Sequence, residues 1–218
     1  MESHWALATG ELNVLSEQHI LSCTPNPYDC GGNGGCGGGT TELAYSYLLQ
    51  TGLASEWKYP YLSWYGNNSK CRYDATKVGS VAYLADYVTL PTNDYESVLN
   101  AVAFIGPLAI SVDASQWHLY ETGIFDDCNT ATPDIDHGVQ LVGYGSDKGT
   151  PYWIIRNSWT PAFGEAGYIR VLRDNPPVCG VDVTPLDGTG CDGGPMNVTV
   201  CGYCGVLFDV VYPVVRTQ

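Results

Sequence analysis

The chain has 218 residues, 44% hydrophobic and 15% charged, enough for one large domain or two small ones with a real core. Its formal net charge of −14 and pI near 4.3 argue against nucleic acid and anionic membranes as partners, because the field of the whole molecule repels both. No stretch is long and apolar enough to span a bilayer.

Nine cysteines, the sequons Asn67-Asn68-Ser69 and Asn197-Val198-Thr199, and few lysines point to an oxidising address, lysosomal or vacuolar or extracellular. Met1-Glu2-Ser3-His4-Trp5 opens with neither a basic start nor an apolar signal core. The expectation is therefore a chain whose natural start lies elsewhere, or a piece of a longer precursor.

Glu2 to Thr9 carries good helix formers and stops at Gly10, reading as the end of a helix. Ser16 is placed to cap a short helix beginning at Glu17. The glycine-rich loop from Pro25 to Gly39 lets a ligand lie against bare main chain; a phosphate cradle is disfavoured by the lack of a nearby Lys or Arg and of a preceding strand. Thr41 to Gln50 puts Leu43, Ala44, Tyr47 and Leu48 on one helical face, closed by Gly52. Val81 to Leu84 reads as a strand entering a second region, and Asn93-Asp94-Tyr95-Glu96 as the start of a helix that stops at Gly106-Pro107.

After that the pattern turns to strands: Leu108 to Val112, a pair spanning Asp136 to Arg156, and Tyr168 to Leu172. Helices first and strands afterwards give an α+β protein with two unlike halves. Within the central pair, His137 stands near one end of the first strand and Asn157 near the end of the second, with Trp159 beyond. That places an amide oxygen beside an imidazole, the makings of a base.

The ordered series Leu15-Ser16-Glu17-Gln18, Gly35-Cys36-Gly37-Gly38, Tyr59-Pro60-Tyr61, Asp136-His137-Gly138-Val139, Val142-Gly143-Tyr144-Gly145, Asn157-Ser158-Trp159, Gly164-Glu165 and Gly167-Tyr168-Ile169-Arg170 closely resembles the papain and cathepsin L cysteine proteases, across nearly the whole chain. The resemblance implies a helical left domain, here 1–79, and a β-barrel-like right domain, 80–218, the latter with a Cys/Gly/Pro-rich insertion at about 180–203. It implies that His137 is the base, Asn157 its orienting amide and Trp159 the shield over their hydrogen bond. It also implies that an extended peptide pairs along Gly38 and Gly39, with Thr40 and Thr41 on one side of the main specificity pocket and Ile135 and Asp136 on the other. No cofactor or metal is implied. The implied partners are a peptide or protein substrate, a propeptide and cystatin-like inhibitors, and the implied state is a monomer.

The family's nucleophile segment, resembling Gln-Gly-x-Cys-Gly-Ser-Cys-Trp, does not occur in this sequence. The expectation is that it lies before Met1, that the oxyanion glutamine goes with it, and that the 218 residues alone are inactive. A non-catalytic papain-fold module that binds peptides is the alternative. By the same resemblance Cys23 pairs with Cys71, and Cys128 with Cys179 or Cys204. Cys36 is left without its family partner, and Cys30, Cys191 and Cys201 are additional. A zinc site on Cys201-x-x-Cys204 with Cys191 and Cys179 is the weaker alternative to disulfides. Thr160 and Phe163 stand where glycine and tryptophan are common. His4, His19 and His118 read as structural or solvated, and Asp113 with Asp136 as a carboxylate pair without acid–base work.

Overall fold

The computed structural model describes residues 1–217. In chain order the elements are α1 (Glu2–Thr9), α2 (Glu17–Cys23), α3 (Thr41–Thr51), β1 (Leu84–Thr89), α4 (Tyr95–Phe104), β2 (Leu108–Val112), β3 (Ile124–Phe125), β4 (His137–Asp147), β5 (Thr150–Arg156), β6 (Tyr168–Leu172), β7 (Cys179–Asp182), β8 (Val198–Cys201) and β9 (Asp209–Val215). They form two compact units, one from Met1–Val88 with the segment from Tyr212 onward, the other Thr89–Val211. Among the described residues no helix is long and apolar enough to cross a membrane.

In the first unit, local chemistry sets the helix ends. Gly10 takes the left-handed conformation (φ 77°) that ends α1, and its N–H closes on the Ala6 carbonyl. The Ser16 hydroxyl accepts the His19 N–H at the start of α2, and Thr40 accepts the Leu43 N–H at the start of α3. α3 buries Tyr45 and Leu48, so its inner face is turned from the expected one and leaves Leu43, Ala44 and Tyr47 half-buried. The Cys23–Cys71 disulfide ties α2 to the long irregular segment that follows α3. Closing a loop of sequence separation 48 removes unfolded-state freedom worth about 4 kcal/mol in the chain-entropy account.

The glycine-rich loop folds onto itself. Gly32 and Gly38 form an antiparallel bridge, and a Cβ on Gly32 would lie 1.9 Å from the Gly37 carbonyl oxygen. At Gly32 and Gly38 bare main chain is needed because two stretches of the loop's own backbone touch.

The second unit is built on most of a seven-stranded sheet of order β1-β9-β2-β4-β5-β6-β3. The edge strands β1 and β3 do not pair, so the expected barrel-like element is an open sheet. β2 and β6 fall at the expected residues, whereas the first strand begins at Leu84 rather than Val81. β4 and β5 are joined by a two-residue turn at Lys148 (φ 50°) and Gly149 (φ 89°), the doubly left-handed geometry that matches strand twist. Leu108, Ile110 and Val112 of β2, Leu141 of β4, Trp153 and Ile155 of β5, and Ile169 and Val171 of β6 are all buried, and form one face of core. α4 lays Val98, Ala101 and Val102 inward.

The insertion forms a small hairpin of its own, β7 against β8, with Cys179 directly opposite Cys201 and bonded to it. Cys128 pairs with Cys204, which closes the Cys128–Cys179 alternative. Cys30 and Cys191 are also disulfide-bonded, so the four sulfurs of the zinc alternative are all oxidised. Asn93, expected only to help start α4, clamps the hairpin instead: it donates to the Thr199 carbonyl and accepts the Cys201 N–H, each at 2.9 Å.

Candidate active site

His137 opens β4 opposite Val112 of β2. Asn157 follows the last residue of β5, and the β4–β5 register, Gln140 opposite Arg156, brings the two together. A bulge between Leu141 and Gly143 shifts that register by one residue, a device that bends a strand and re-aims the side chains beyond it. His137 Nε2 lies 2.8 Å from Asn157 Oδ1.

A second hydrogen bond fixes which protons are where. The Ser158 backbone N–H donates to the same Asn157 oxygen at 2.8 Å. A backbone N–H can only donate, so the atom facing both groups is the amide oxygen, and His137 must donate to it through Nε2–H. Nδ1 is then the nitrogen with the free lone pair, available to take a proton. Asn157 is itself 8% exposed and held by its own N–H on the Gly167 carbonyl, so the acceptor is fixed in place.

Aromatic rings enclose this pair. Trp159 lies with its ring centroid 5.1 Å from the imidazole at 34°, and Trp117 meets the imidazole edge-on at 6.4 Å. Phe163 braces Trp159 at 5.3 Å and also packs on Tyr120. Trp117 is fully buried and donates its Nε1–H to Cys204 Sγ. Its role at the site was not legible in Gln116-Trp117-His118, since an isolated tryptophan carries no mark of what it will face. Thr160 has φ 67°, a left-handed conformation that costs a β-branched residue strain and that glycine takes freely.

The expected substrate residues divide between the units. In the first, Gly38, Gly39 and Thr40 line a groove of about 380 Å³ with Ile20, Leu21 and Leu43, and open space lies beside the Gly39 Cα. Thr41 is the first residue of α3. In the second, Asp136 is exposed and accepts the Ala114 N–H, while desolvation of its carboxyl, reinforced by Asp113 and Asp134, raises its pKa above the ordinary value. Ile135 is fully buried. Its N–H points to Asp182 Oδ2, and a Cβ on Gly188 would lie 1.7 Å from its carbonyl oxygen. Thr184 donates to Asp134 at 2.8 Å. The insertion thus clamps the two residues that precede Asp136-His137, a contact with no signal in the sequence.

Comparison with known proteins decides what this geometry belongs to. Residues 1–189 match the profile of the family described as "Papain family cysteine protease". The chain belongs to the papain family of cysteine proteases. It is 39% identical to cathepsin S of Rattus norvegicus over 185 residues, 83% of this chain and 53% of the relative. To a cathepsin L-like protein of Caenorhabditis elegans it is 38% identical, over 83% of this chain and 52% of the relative. It therefore spans about half the length of these curated papain-family relatives. Among solved structures, digestive procathepsin L 3 of Tenebrio molitor superposes with TM-score 0.73 at 34% identity, covering 97% of this chain and 59% of that one. Bromelain from Ananas comosus, in complex with the E64 inhibitor, gives TM-score 0.73 at 31% identity, over 99% of this chain and 84% of that one. The papain fold expected from the sequence is thus present, with four α-helices and a large open sheet among the described residues.

Proposed function

We propose that this chain carries the base half of a papain-type cysteine endopeptidase. The observation that carries the reading is the His137 Nε2–H to Asn157 Oδ1 hydrogen bond at 2.8 Å, with that oxygen also pinned by the Ser158 N–H. A thiol delivered to Nδ1 gives up its proton there and becomes a thiolate beside an imidazolium. The thiolate attacks the peptide carbonyl carbon. The imidazolium then protonates the leaving amine as the C–N bond breaks and the thioester forms. His137 next takes a proton from water, whose oxygen displaces the thiolate to release the acid. Asn157 holds the imidazole in one tautomer throughout, and Trp159 keeps water from competing for its Nε2–H.

The peptide substrate lies extended along Gly38 and Gly39, with Thr40 and Thr41 on one side of its main pocket and Asp136 on the other. Ile135 acts from beneath, through packing. A propeptide and cystatin-like inhibitors are the protein partners of this reading, and the oxidised cysteines support a lysosomal, vacuolar or extracellular setting.

A second reading, a non-catalytic peptide-binding module, is favoured by one observation. Eight cysteines are disulfide-bonded, and the free one, Cys36, is not in a Cys-Gly-Ser-Cys setting. The two readings separate in one assay. The 218-residue chain, and the same chain preceded by a Gln-Gly-x-Cys-Gly-Ser-Cys-Trp segment, are given a fluorogenic peptide. The protease reading expects turnover only in the second, abolished by His137→Ala. Peptide binding without cleavage by the extended chain overturns it in favour of the module. His137-dependent cleavage by the 218 residues alone overturns the placement of the nucleophile outside them.

A further inference from the structure

The end of β5, the turn that follows it and the start of β6 enclose a cavity of about 290 Å³, to which Arg156, Asn157, Ser158 and Tyr168 contribute polar side chains. The β5–β6 register sets Arg156 directly opposite Tyr168, and partners so placed present their side chains on one face of the sheet. Arg156 is exposed and, among the described residues, in no ion pair. The other arginines of this unit are engaged: Arg170 by Glu165, and Arg173 over the rings of Tyr144 and Trp153. Among the described residues no carboxylate lines the cavity, in a protein of net charge −14.

One polar group here is buried. Asn157 is 8% exposed, and its Oδ1 already accepts from His137 and from the Ser158 N–H. Its Nδ2 is buried without a hydrogen-bond partner among the described residues. A buried donor of this kind is costly unless an acceptor meets it. The guanidinium, the amide nitrogen and the two hydroxyls together make a set that can donate throughout.

We propose that this cavity binds a small oxyanion, a carboxylate, sulfate or phosphate group, held by the Arg156 guanidinium and accepting from Ser158, Tyr168 and Asn157 Nδ2–H. One fixed positive charge with no carboxylate repels a cation, and an apolar ligand would leave every donor unpaired. The ligand is a single anion rather than a polymer, because 149–169 holds no Lys or Arg besides Arg156. Its consequence reaches the base. Hydrogen bonds in series polarise one another, so an anion accepting from Asn157 Nδ2–H leaves Oδ1 more negative and tightens its bond to His137 Nε2–H. This inference rests on the His137–Asn157 bond and not on the peptidase reading, so turnover plays no part in its test.

The 15N-labelled 218-residue chain is titrated at pH 7 with sodium sulfate, sodium phosphate and sodium acetate, ionic strength being held constant with sodium chloride. The proposal expects the Asn157 side-chain NH2, the Arg156 Nε–H and the His137 Nε2–H resonances to move together on one saturable curve with at least one of these salts, the His137 proton downfield. The acetate arm against the sulfate and phosphate arms tells a planar from a tetrahedral ligand. Arg156→Gln should weaken binding by roughly tenfold or more and Tyr168→Phe by a few fold, with thermal midpoints unchanged. If Arg156→Gln does not fold, Arg156→Lys and the titration of the unaltered chain decide instead. Absence of a saturable shift with all three salts, movement of Arg156 without Asn157, or undiminished binding in a folded Arg156→Gln overturns the proposal.

Discussion

Asn157 Oδ1 accepts two hydrogen bonds of equal length, 2.8 Å from His137 Nε2 and 2.8 Å from the Ser158 N–H. One comes from rigid backbone and the other from a ring that is free to turn, so the backbone orients the amide and the amide orients the ring. Replacing Asn157 by alanine removes the acceptor while leaving His137 in place. The expected outcome, read by 15N NMR of the imidazole, is a change from a single Nε2–H tautomer to a mixture. In the chain preceded by a Gln-Gly-x-Cys-Gly-Ser-Cys-Trp segment, the loss of a hydrogen bond to the charged imidazolium, about 1.5–3 kcal/mol, lowers kcat/KM by roughly 10- to 100-fold.

His19 gives the first unit a sensitivity to acid. Its Nδ1 accepts the Ala54 N–H, its Nε2 lies 3.0 Å from the Tyr47 hydroxyl, and its ring is packed by Tyr59 and stacked on Tyr73. Burial lowers its pKa to about 4. The folded state thus binds fewer protons than the unfolded state between about pH 6.5 and 4. The stability His19 permits is fully present above pH 6.5 and is lost as pH falls through that window, by roughly 2–3 kcal/mol. Urea unfolding across this range should show the slope, and His19→Asn should flatten it; an unchanged slope in the variant would falsify the assignment.

Glu165 acts in the same direction but in a more acidic window. Arg170 grips it through two nitrogens at 2.8 and 2.7 Å, with further donors from Thr122 and Gly123, and the carboxyl pKa falls to about 2. Its contribution is present above the unfolded value of 4.5 and lost only as pH drops toward 2. Glu165→Gln should therefore lower the thermal midpoint at pH 5 and 7 alike, with the gap between variant and parent narrowing from about pH 4.5 and closing near pH 2.

Thr160 holds a left-handed backbone at φ 67°. Thr160→Gly removes that strain, partly offset by the greater freedom of glycine in the unfolded chain and by loss of the bond from the Ala162 N–H to the threonine hydroxyl. The expected net gain is about 0.5–1 kcal/mol, seen as a rise of a few degrees in thermal midpoint. A fall would mean the side chain contributes more than its strain costs.

Gly188 meets the Ile135 carbonyl at a distance that leaves no room for a methyl group. Gly188→Ala must push the insertion away from Asp134 and Ile135, at a cost of about 1–3 kcal/mol. Faster amide exchange at Ile135 and a shift of the His137 ring resonances should accompany it. Gly39→Ala, with nothing near the new methyl, is the neutral control.

What could be read from the sequence was what local chemistry decides. Gly10 and Ser16 end or begin helices through bonds to their near neighbours where expected, whereas α4 is capped by Asp94 and not by Asn93, one residue before it. The His137–Asn157 pair was readable because each residue stands near an end of one of two neighbouring strands, inside motifs that resemble the papain family's. The bulge at Leu141–Gly143 that sets the β4–β5 register was not readable, nor was the burial of Tyr45 over Leu43, since both depend on what packs against them from elsewhere. Val81 has a strand-forming side chain, yet this stretch forms only an isolated bridge, Ala82 to Leu53. Cysteine pairing had no local determinant at all. Cys179 faces Cys201 only because the hairpin between them forms.

That hairpin has an evolutionary corollary. Its two strands are locked by a covalent bond at the open end, where Cys179 faces Cys201, so everything between them is a sealed ring. The arc through Asp182, Thr184 and Gly188 is fastened to the approach to His137. Past it, the disulfide-bonded Cys191 fixes one further point. Descendants of this protein can lengthen, shorten or rewrite the stretch from Asp192 to Asn197, while the strands carrying the base keep their positions.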